Sequence, residues 1–233
     1  MIPGTTINTA ESAATQKLLE VMRLRDRALA DHGLRAGHMA AAIAAELGGT
    51  ADEVDRAYLG GLLHDVGKLG IPEAILWKPA GLDTTEWKVV RNHPQEGHRL
   101  VVDLTHRDVA AAVLYHHERF DGEGYPHRVD LTSIPMPVRI VQVADAYDAI
   151  TSDRPYAPAL PASLAVEEIT RCAGSQFDPD AARGLSQLLE ARLDGATITL
   201  PGATAPLPAD PFDKIQESSS KSHEPDLSTI LDS

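Results

Sequence analysis

The sequence predicts an all-α fold from its composition and its spacing of apolar residues. Of the 233 residues, 43% are hydrophobic but only 4% are aromatic, so the core must consist mainly of Ala, Leu, Val and Ile. Such a core suits closely packed helices better than a sandwich of strands, which favour aromatic residues. Apolar residues also recur in helical spacing along much of the chain. The length fits one domain with extensions, or two small domains at most.

Two helices are predicted near the N-terminus. The first begins near Glu11. Its apolar residues in broadly helical spacing are Leu18, Leu19, Met22 and Leu29. The second helix starts near Leu34, is rich in Ala, and ends at Gly48, because glycine readily adopts the conformation that terminates helices.

Capping boxes predict where the next two helices begin. Thr50 precedes Glu53, and Asp83 precedes Glu86, so each pair places an N-cap acceptor three residues before a glutamate. The first of these helices runs into the segment LLHDVGKLGIP, and the second is interrupted or restarted by Pro94. Further helices are predicted over about 108–117, 138–151, 163–173 and 179–193.

Two segments lack helical signals. Residues 119–137 are rich in Gly and Pro, but Phe120, Tyr125 and Ile134 give them apolar surface to bury, so we expect an ordered loop. Residues 196–233 are rich in Pro at first and then polar and nearly featureless, so we expect a disordered C-terminal tail.

Charge and cysteine content exclude several classes of protein. The formal net charge of -13 argues against a broad basic surface for a long nucleic acid. A small anionic substrate stays compatible, because metal ions with nearby Arg or Lys outweigh the global field. The single Cys172 excludes an intrachain disulfide and a Cys-based metal site. With no apolar run of membrane-spanning length and no secretory leader pattern, we expect a cytoplasmic protein.

The segment LLHDVGKLGIP, residues 62–72, places two metal-capable side chains side by side at the end of an apolar helix. Adjacent helical residues point about 100° apart, so His64 and Asp65 cannot face one point unless the helix ends or the carboxylate spans two ions. A bridging Asp65 would hold two metals roughly 3.5 to 4 Å apart around a shared hydroxide, an arrangement suited to attack on phosphorus. Lys68 could then neutralise a phosphate oxygen.

Other residues at helix ends or beside turns extend this pattern. His116 and His117 form a second adjacent pair, which is explained if each serves a different ion, and His93 and Asp145 are further candidates. Nitrogen and oxygen ligands without thiolates fit Fe, Mn, Co, Ni or Zn, and we favour Fe or Mn. The alternative is a set of unrelated structural histidines, which is disfavoured because an unpaired imidazole is costly to bury.

Six motifs occur in order between about residues 20 and 192. They are HGLR, LLHDVGKLGIP, NHPQEGH, YHHERFDGEGYP, RIVQVADAYDAITSDRPY and GSQFDPDAA. Together they resemble the HD-GYP family of phosphodiesterases, a branch of the HD-domain metal-dependent phosphohydrolases. The resemblance implies an HD-domain helical bundle of about seven or more helices with a Gly/Pro-rich Gly-Tyr-Pro loop. It divides the chain into an N-terminal extension with the first helix (1–19), an HD-GYP domain (20–195) and the tail (196–233).

The resemblance also implies roles for individual residues. The implied ligands of two divalent transition-metal ions, with Asp65 bridging, are His32, His64, Asp65, His93, His116, His117 and Asp145. Lys68 matches a lysine that contacts the scissile phosphate, and Arg154 matches an arginine that holds a substrate phosphate. Tyr125 in the Gly-Tyr-Pro loop would either stack on a guanine or pack the loop onto its own domain.

The family's usual substrate is the bacterial second messenger cyclic di-GMP, which is linearised to pGpG and in some members cut further to GMP. The resemblance implies that the Gly-Tyr-Pro loop serves either substrate access or contact with cyclases of the GGDEF type, and a homodimer is compatible with the sequence. Two other functions stay open. One is an HD-domain phosphohydrolase for another nucleotide or phosphate ester, and the other is a weakly active signalling module that binds a cyclic dinucleotide or a cyclase.

Two positions depart from the family pattern. Members with three metals carry a glutamate where this chain has Ala28, four residues before His32, so we predict two ions. A basic residue often follows the family's Arg-Pro-Tyr, whereas this chain has Ala157. That phosphate contact would be missing, which favours the alternative substrates slightly.

Overall fold

The computed structural model describes residues 9–153 and 158–193, and these residues form helices joined by turns and loops. The ten α-helices are α1 Thr9–Arg25, α2 Arg27–Glu46, α3 Ala51–Leu63, α4 Glu73–Leu76, α5 Thr84–Val90, α6 His93–Val101, α7 Arg107–Tyr115, α8 Met136–Thr151, α9 Ala162–Arg171 and α10 Pro179–Leu193. Two 3-10 segments, Val66–Gly70 and Leu131–Ser133, complete the described elements, which include no β-strand. The predicted all-α fold is confirmed.

Some predictions fall on residues outside the described ranges. The tail of residues 196–233 is one, and the phosphate-binding Arg154 with the neighbouring Ala157 is another. The domain division stays a prediction, and its first boundary, between residues 19 and 20, falls inside α1. None of the described helices is long and apolar enough to cross a membrane.

The centre of the fold is the packing of α2 against α3 and α8. Glycines allow the backbones of α2 and α3 to approach closely, because a Cβ on Gly61 would lie 2.7 Å from the Cα of Gly37. A Cβ on Gly33 would lie 2.5 Å from the carbonyl oxygen of Leu62. This contact holds the N-terminal part of α2 beside the C-terminal end of α3, where several predicted metal ligands lie.

Buried apolar side chains form two clusters that fix the other helices around this centre. One cluster joins α2, α8, α9 and α10 through residues such as Ile43 and Leu185, which are fully buried. The other joins α1, α3, α6 and α7 through residues such as Met22 and Leu63. Each such side chain contributes about 1.5–3 kcal/mol by leaving water. The helix ends that carry the predicted metal ligands are therefore held in place by a packed core.

The first two helices meet at Asp26, so the predicted boundary between Leu29 and Leu34 was wrong. The Asp26 carboxylate accepts hydrogen bonds from the backbone N–H groups of Ala28 and Leu29 at 2.8 and 3.2 Å. These donors have no partner within the helix, so the aspartate stabilises the start of α2. As a result His32 lies in the second turn of α2 rather than in a connection.

Both predicted capping boxes are present. The Thr50 side chain accepts from the backbone N–H of Glu53 while the Glu53 carboxylate accepts from that of Thr50, and Asp83 and Glu86 make the same reciprocal pair. The helix that Thr50 opens is α3, which ends at Leu63, so the segment His-Asp-Val begins where the helix stops.

The helix α7 ends at Tyr115, two residues before the predicted end. The side-chain N–H of Gln142 on α8 donates to the carbonyl oxygens of Tyr115 and Glu118, both at 2.9 Å. This buried amide supplies donors to carbonyls at the end of the helix. His116 is the C-cap residue and His117 lies beyond it, so the two neighbours are not constrained to helical directions.

Residues 119–135 form an ordered loop, as predicted, which includes the 3-10 segment Leu131–Ser133. The last two residues of the predicted loop, Met136 and Pro137, belong to α8 instead. The Glu118 carboxylate, which is buried, accepts from the backbone N–H groups of His127 and Arg128 at 2.6 and 2.9 Å. Leu131, the first residue of the 3-10 segment Leu131–Ser133, is fully buried and anchors that segment. The Gly-Tyr-Pro part of the loop is thereby held next to the end of α7.

Candidate metal centre

The predicted metal ligands converge on one region of the fold, although they come from separate helices. The residues are His32 on α2, His64 and Asp65 after α3, His93 at the start of α6, His116 and His117 after α7, and Asp145 on α8. Their rings lie close together. The ring centroid of His64 lies 4.9 Å from that of His32 and 5.0 Å from that of His116. The ring centroids of His93 and His117 are 5.1 Å apart.

A first group consists of His32, His64 and Asp65, with Asp145 beside them. Nε2 of His32 lies 3.1 Å from Nε2 of His64 and 3.1 Å from Oδ1 of Asp145. Oδ2 of Asp65 lies 3.4 Å from Nε2 of His64 and 3.8 Å from Nε2 of His32. These nitrogen and oxygen atoms are close enough together to hold one metal ion.

A second group consists of His93, His116 and His117, whose possible ligand atoms lie within 4.8 Å of one another. Nε2 of His93 lies 3.1 Å from Nε2 of His116. Oδ1 of Asp65 lies 3.2 Å from Nε2 of His93 and 3.9 Å from Nε2 of His116. This group could hold a second metal ion.

Asp65 therefore stands between the two groups, with one oxygen directed at each. Its side chain is buried, and it follows the end of α3 directly. The sequence allows His64 and Asp65 to bind at one metal centre in two cases. Either the helix ends at these residues, or the Asp65 carboxylate lies between two metal positions. Both features are present in the structure, and the role of Asp65 as a bridging metal ligand stays a prediction.

Local backbone carbonyls orient three of the imidazoles. In each of them, Nδ1 lies near the carbonyl oxygen three residues earlier in the chain. The pairs are His64 with Gly61 at 2.7 Å, His93 with Val90 at 2.7 Å and His116 with Val113 at 2.9 Å. Because a carbonyl can only accept, each Nδ1 carries a proton, so Nε2 of each ring in its neutral form presents a lone pair to the centre.

The second group has several acceptors and lacks the donors to match them. The Nε2 lone pairs of His93 and His116 face each other at 3.1 Å. Oδ1 of Asp65 is buried beside them and has no hydrogen-bond partner among the residues that the structure describes. Buried acceptors that face one another are unfavourable unless a cation lies between them. The donor set therefore fits a metal ion of the kind predicted, and the metal's identity stays a prediction.

The charge states of these groups also suit metal binding. Burial by itself would raise the pKa of Asp65, but the charges of Lys68 and His64 hold that pKa well below its usual value. Burial and the charges of neighbouring histidines lower the pKa of His116 well below its usual value and that of His117 to about 3. Near pH 7 the site thus offers an ionised Asp65 carboxylate, and His116 and His117 in the second group are neutral imidazoles, which are the forms that bind metals.

His32 has a different electrostatic environment. Its Nδ1 lies 2.7 Å from Oδ2 of Asp148, and its Nε2 faces Asp145. Burial disfavours the charged imidazolium, but hydrogen bonds with Asp145 and Asp148 outweigh burial and raise the pKa of His32 to about 9. His32 therefore carries both protons near pH 7 when no metal is bound, and it must release the Nε2 proton to act as a ligand.

Asp148 is a site residue that the sequence reasoning missed. It accepts from His32 and also from Arg35, whose Nε and Nη2 lie 2.6 and 2.9 Å from its two oxygens. The available signal for Asp148 is its position three residues after Asp145 on α8, which places both carboxylates on one helix face.

Lys68 lies at the edge of the first group. Its Nζ is 2.8 Å from Oδ2 of Asp65, and its side chain is 19% exposed. The 3-10 segment Val66–Gly70 positions Lys68 three residues after Asp65, about one turn away. A cation in this place is accessible to a phosphate that approaches the metal groups.

Tyr125 packs against the second group. Its ring is stacked on that of His117, with centroids 4.7 Å apart and planes 19° apart, and the Arg91 guanidinium lies 4.4 Å from the ring centroid. The backbone N–H of Tyr125 donates to the carbonyl oxygen of His117 at 3.1 Å. These contacts show the loop packed onto its own domain, which is one of the two roles expected for this tyrosine.

A cleft of about 380 Å³ opens over these residues. Its lining includes His32, Asp65, Lys68, Tyr125 and Asp145 from the predicted set. Residues that the sequence reasoning did not select also line it, among them Trp77, Arg91 and Gln176. The cleft size lies within the range typical of small-molecule sites.

Ala28 lies in the first turn of α2, one turn before His32. Within the described parts of the chain, two groups of three metal-capable residues occur. This agrees with the expectation of two ions, which stays a prediction.

Comparison with known proteins supports a common family. A family model described as HD domain matches residues 16–181. The chain is 38% identical over 189 residues to cyclic di-GMP phosphodiesterase PA4108 of Pseudomonas aeruginosa, with 78% of this chain and 45% of that protein covered. It is 36% identical over 140 residues to 3′3′-cGAMP-specific phosphodiesterase 3 of Vibrio cholerae, covering 59% of this chain and 30% of that protein.

A solved structure shows the same fold. Bd1817, described as an HDG"Y"P protein from Bdellovibrio bacteriovorus, superposes with a TM-score of 0.58 at 20% identity, covering 77% of this chain and 62% of that chain. The present chain spans about half the length of curated relatives that it matches, such as cyclic di-GMP phosphodiesterase PA4108. The match over residues 16–181, together with the cyclic di-GMP phosphodiesterases among the relatives, confirms the resemblance seen in the motifs and shows that the chain belongs to the HD-domain family.

Proposed function

We propose that this chain is a metal-dependent phosphodiesterase that hydrolyses a cyclic dinucleotide, with cyclic di-GMP as the first candidate substrate. The observation that carries the proposal is the position of Asp65, which directs one oxygen at each of two histidine groups while Lys68 lies 2.8 Å from it. A binding module has no need of such an arrangement. The names of several relatives, cyclic di-GMP phosphodiesterases, point to the same substrate.

In this proposal the two groups hold two divalent transition-metal ions, for which Fe or Mn is preferred. The first ion would be held by His32, His64, Asp65 and Asp145. The second would be held by His93, His116 and His117 with the other oxygen of Asp65. Two bound ions would supply an activated water and neutralise negative charge on phosphorus.

The protein's own residues prepare the site for this chemistry. The backbone carbonyls that accept from Nδ1 keep three Nε2 lone pairs directed at the ions, so little reorganisation is needed on binding. Lys68 would place its ammonium against a non-bridging phosphate oxygen and stabilise charge that grows during cleavage. Arg154 would hold a phosphate of the substrate. The expected products are pGpG and, after a second cleavage, GMP.

Tyr125 contributes to this site mainly through its packing. Its ring already contacts His117 and Arg91, which supports a role in holding the loop against a metal ligand over a role in stacking on guanine. The same loop remains the proposed contact for a cyclase of the GGDEF type. A homodimer is compatible with this arrangement.

A second candidate substrate is 3′3′-cGAMP. The relative from Vibrio cholerae that is 36% identical over 140 residues is named as specific for that dinucleotide. The two substrates share the ribose-phosphate ring and differ in one base, so the same metal groups and Lys68 would serve both. Selectivity would then depend on the walls of the cleft.

The proposal is tested by a turnover screen with the Asp65→Ala variant and the Asp103→Ala variant as its matched control. Asp103 is exposed and lies outside the metal groups. Protein purified without oxygen is supplied with Mn²⁺ or Fe²⁺ and incubated with cyclic di-GMP, 3′3′-cGAMP, linear dinucleotides and nucleoside monophosphates. We expect Asp65→Ala to lose at least about 10³-fold in turnover, as removal of a central catalytic group does elsewhere, and to lose bound metal. The control should keep both properties.

Three results would contradict the proposal. Turnover of a cyclic dinucleotide by Asp65→Ala would show that the metal groups are not the catalytic centre. Tight binding without turnover by the unaltered chain would indicate a signalling module. Turnover of another phosphate ester, with no turnover of a cyclic dinucleotide, would support metal-dependent hydrolysis but contradict the proposed substrate.

A further inference from the structure

Trp77 is a large aromatic residue on the wall of the cleft that holds the metal groups. It follows α4 as its C-cap residue and is 50% exposed. The lining of the cleft also includes the apolar Leu29 and Leu76 and the ionisable side chains of Asp26, Lys68 and Arg91. Half of the Trp77 side chain stays in contact with solvent, so a role in the hydrophobic core does not by itself explain why a tryptophan occurs at this position.

The ring of Trp77 is held in position from two sides. Its indole N–H donates to Oδ2 of Asp26 at 3.2 Å, while Oδ1 of Asp26 caps α2. The Arg25 guanidinium lies 5.5 Å from the ring centroid, within the range of a cation–π contact. Arg25 in turn forms an ion pair with Glu73 and donates to the carbonyl oxygen of Ile71 at 3.2 Å. An aromatic plane is thus fixed in the cleft before any ligand arrives.

Cationic side chains in the same cleft suit a phosphorylated ligand. Lys68 and Arg91 line the same cleft as Trp77, and Lys68 contacts the shared carboxylate Asp65. An aromatic platform next to cationic groups is the pattern by which proteins bind single-stranded nucleotides, with the base stacked and the phosphate paired. The cleft therefore offers both halves of a nucleotide-binding site.

We infer that Trp77 is the platform on which one base of the cyclic dinucleotide stacks while a phosphate of the same ligand lies at the metal groups. This inference deepens the proposed function and rests on it. Asp26 is a positioning residue here, because one of its oxygens caps α2 and the other holds the indole. Tyr125 does not compete for the base, since His117 and Arg91 contact its ring.

Stacking has a consequence for selectivity. Every base presents an aromatic face, so a stacking platform tolerates different bases. Both oxygens of Asp26 are engaged, which leaves that carboxylate without a role in reading the edge of a base. We therefore expect this position to accept guanine or adenine with similar affinity, so cyclic di-GMP and 3′3′-cGAMP should both use it.

Tryptophan fluorescence tests the inference directly. The chain has two tryptophans, so the full-length Trp87→Phe variant reports on Trp77 alone. Trp87 is on α5 and is not among the described residues that line the cleft. We expect saturable quenching when cyclic di-GMP is added, and none with ribose 5-phosphate, which has the sugar and phosphate without a base.

Calorimetric titration of cyclic di-GMP supplies the second measurement. Trp77→Leu keeps an apolar side chain but removes the aromatic face, and we expect its affinity to fall about 5- to 150-fold, the effect of losing one stacked base. Trp77→Phe keeps a smaller aromatic face and should lose distinctly less. The control Trp87→Leu should bind like the unaltered chain, and circular dichroism verifies that each variant is folded.

The outcomes separate this inference from the proposed function. If cyclic di-GMP binds by calorimetry but neither quenches Trp77 nor binds more weakly to Trp77→Leu, the platform is refuted and the proposed function stands. If ribose 5-phosphate quenches equally, the base is not stacked on Trp77. If no cyclic dinucleotide binds to the unaltered chain, the proposed function fails and this inference fails with it.

Discussion

Gly67 lies where the 3-10 segment Val66–Gly70 meets the start of α6, and a methyl group at this position should separate the two metal groups. A Cβ on Gly67 would lie 1.9 Å from the carbonyl oxygen of His93 and 2.5 Å from the backbone nitrogen of Gly97. Both contacts are with backbone atoms, so no side-chain rotation relieves them. The segment and α6 must move apart to accommodate alanine.

The required movement follows from the contact distances. An ordinary contact would require the segment and α6 to separate by roughly 1.5 Å. Asp65 directly precedes the 3-10 segment and its Oδ1 lies 3.2 Å from Nε2 of His93, so the movement acts on this pair. We expect Gly67→Ala to lose at least about 100-fold in turnover, the cost of a displacement of about 1 Å in an active site. Overpacking should also cost about 1–3 kcal/mol of folding free energy.

The assay compares Gly67→Ala with Gly70→Ala. A Cβ on Gly70 meets no atom within 4 Å, so this control adds the same methyl group to the same segment without overlap. Bound metal per chain, turnover of cyclic di-GMP and thermal unfolding are measured for both. The reasoning is refuted if Gly67→Ala keeps full metal content and turnover, or if Gly70→Ala is equally impaired.

Three further predictions concern the surroundings of the metal groups. Asp148→Asn removes the carboxylate that orients His32 and pairs with Arg35. Metal affinity, measured by titration against a chelator, should fall about 10- to 100-fold. Unchanged affinity would contradict the role assigned to Asp148. Lys68→Met keeps the side-chain length without the charge, and kcat should fall about 10²- to 10³-fold in samples with equal metal content. Because the pKa of His32 is about 9 without metal, metal binding must displace a proton from this residue. Metal affinity should therefore rise with pH, by up to about tenfold per pH unit, and level off above pH 9. A flat profile between pH 7 and 9 would show that His32 is not a ligand.

Features that depend on near neighbours in the chain could be predicted from the sequence. The capping pair of Thr50 and Glu53 is present because both partners lie within one helical turn. The adjacent His64 and Asp65 indicated a helix end or a carboxylate that spans two ions, since side chains at neighbouring positions of a helix point in different directions. The motifs then suggested which distant residues converge, and those residues lie close together in the structure.

Features that depend on contacts between distant segments were missed or misplaced. Asp148 pairs with Arg35 across 113 positions, and no local signal marks that partnership. The end of α7 was placed two residues late, because the amide that satisfies its terminal carbonyls belongs to Gln142 on another helix. Trp77 has no motif around it, and its place on the cleft wall depends on how α4 sits against Asp26.

The sequence by itself determined the helical class, the family and the set of metal-capable side chains, because composition, periodicity and adjacent ligand pairs are properties of the chain. Tertiary structure alone decided that one oxygen of Asp65 faces each histidine group, and that a second carboxylate, Asp148, controls the proton on His32. It also decided that Trp77, which is half exposed, lies on the wall of the cleft. The physical reason is that hydrogen bonds and metal ligation depend on distances of about 3 Å, which only the packing of α2, α3, α6, α7 and α8 sets.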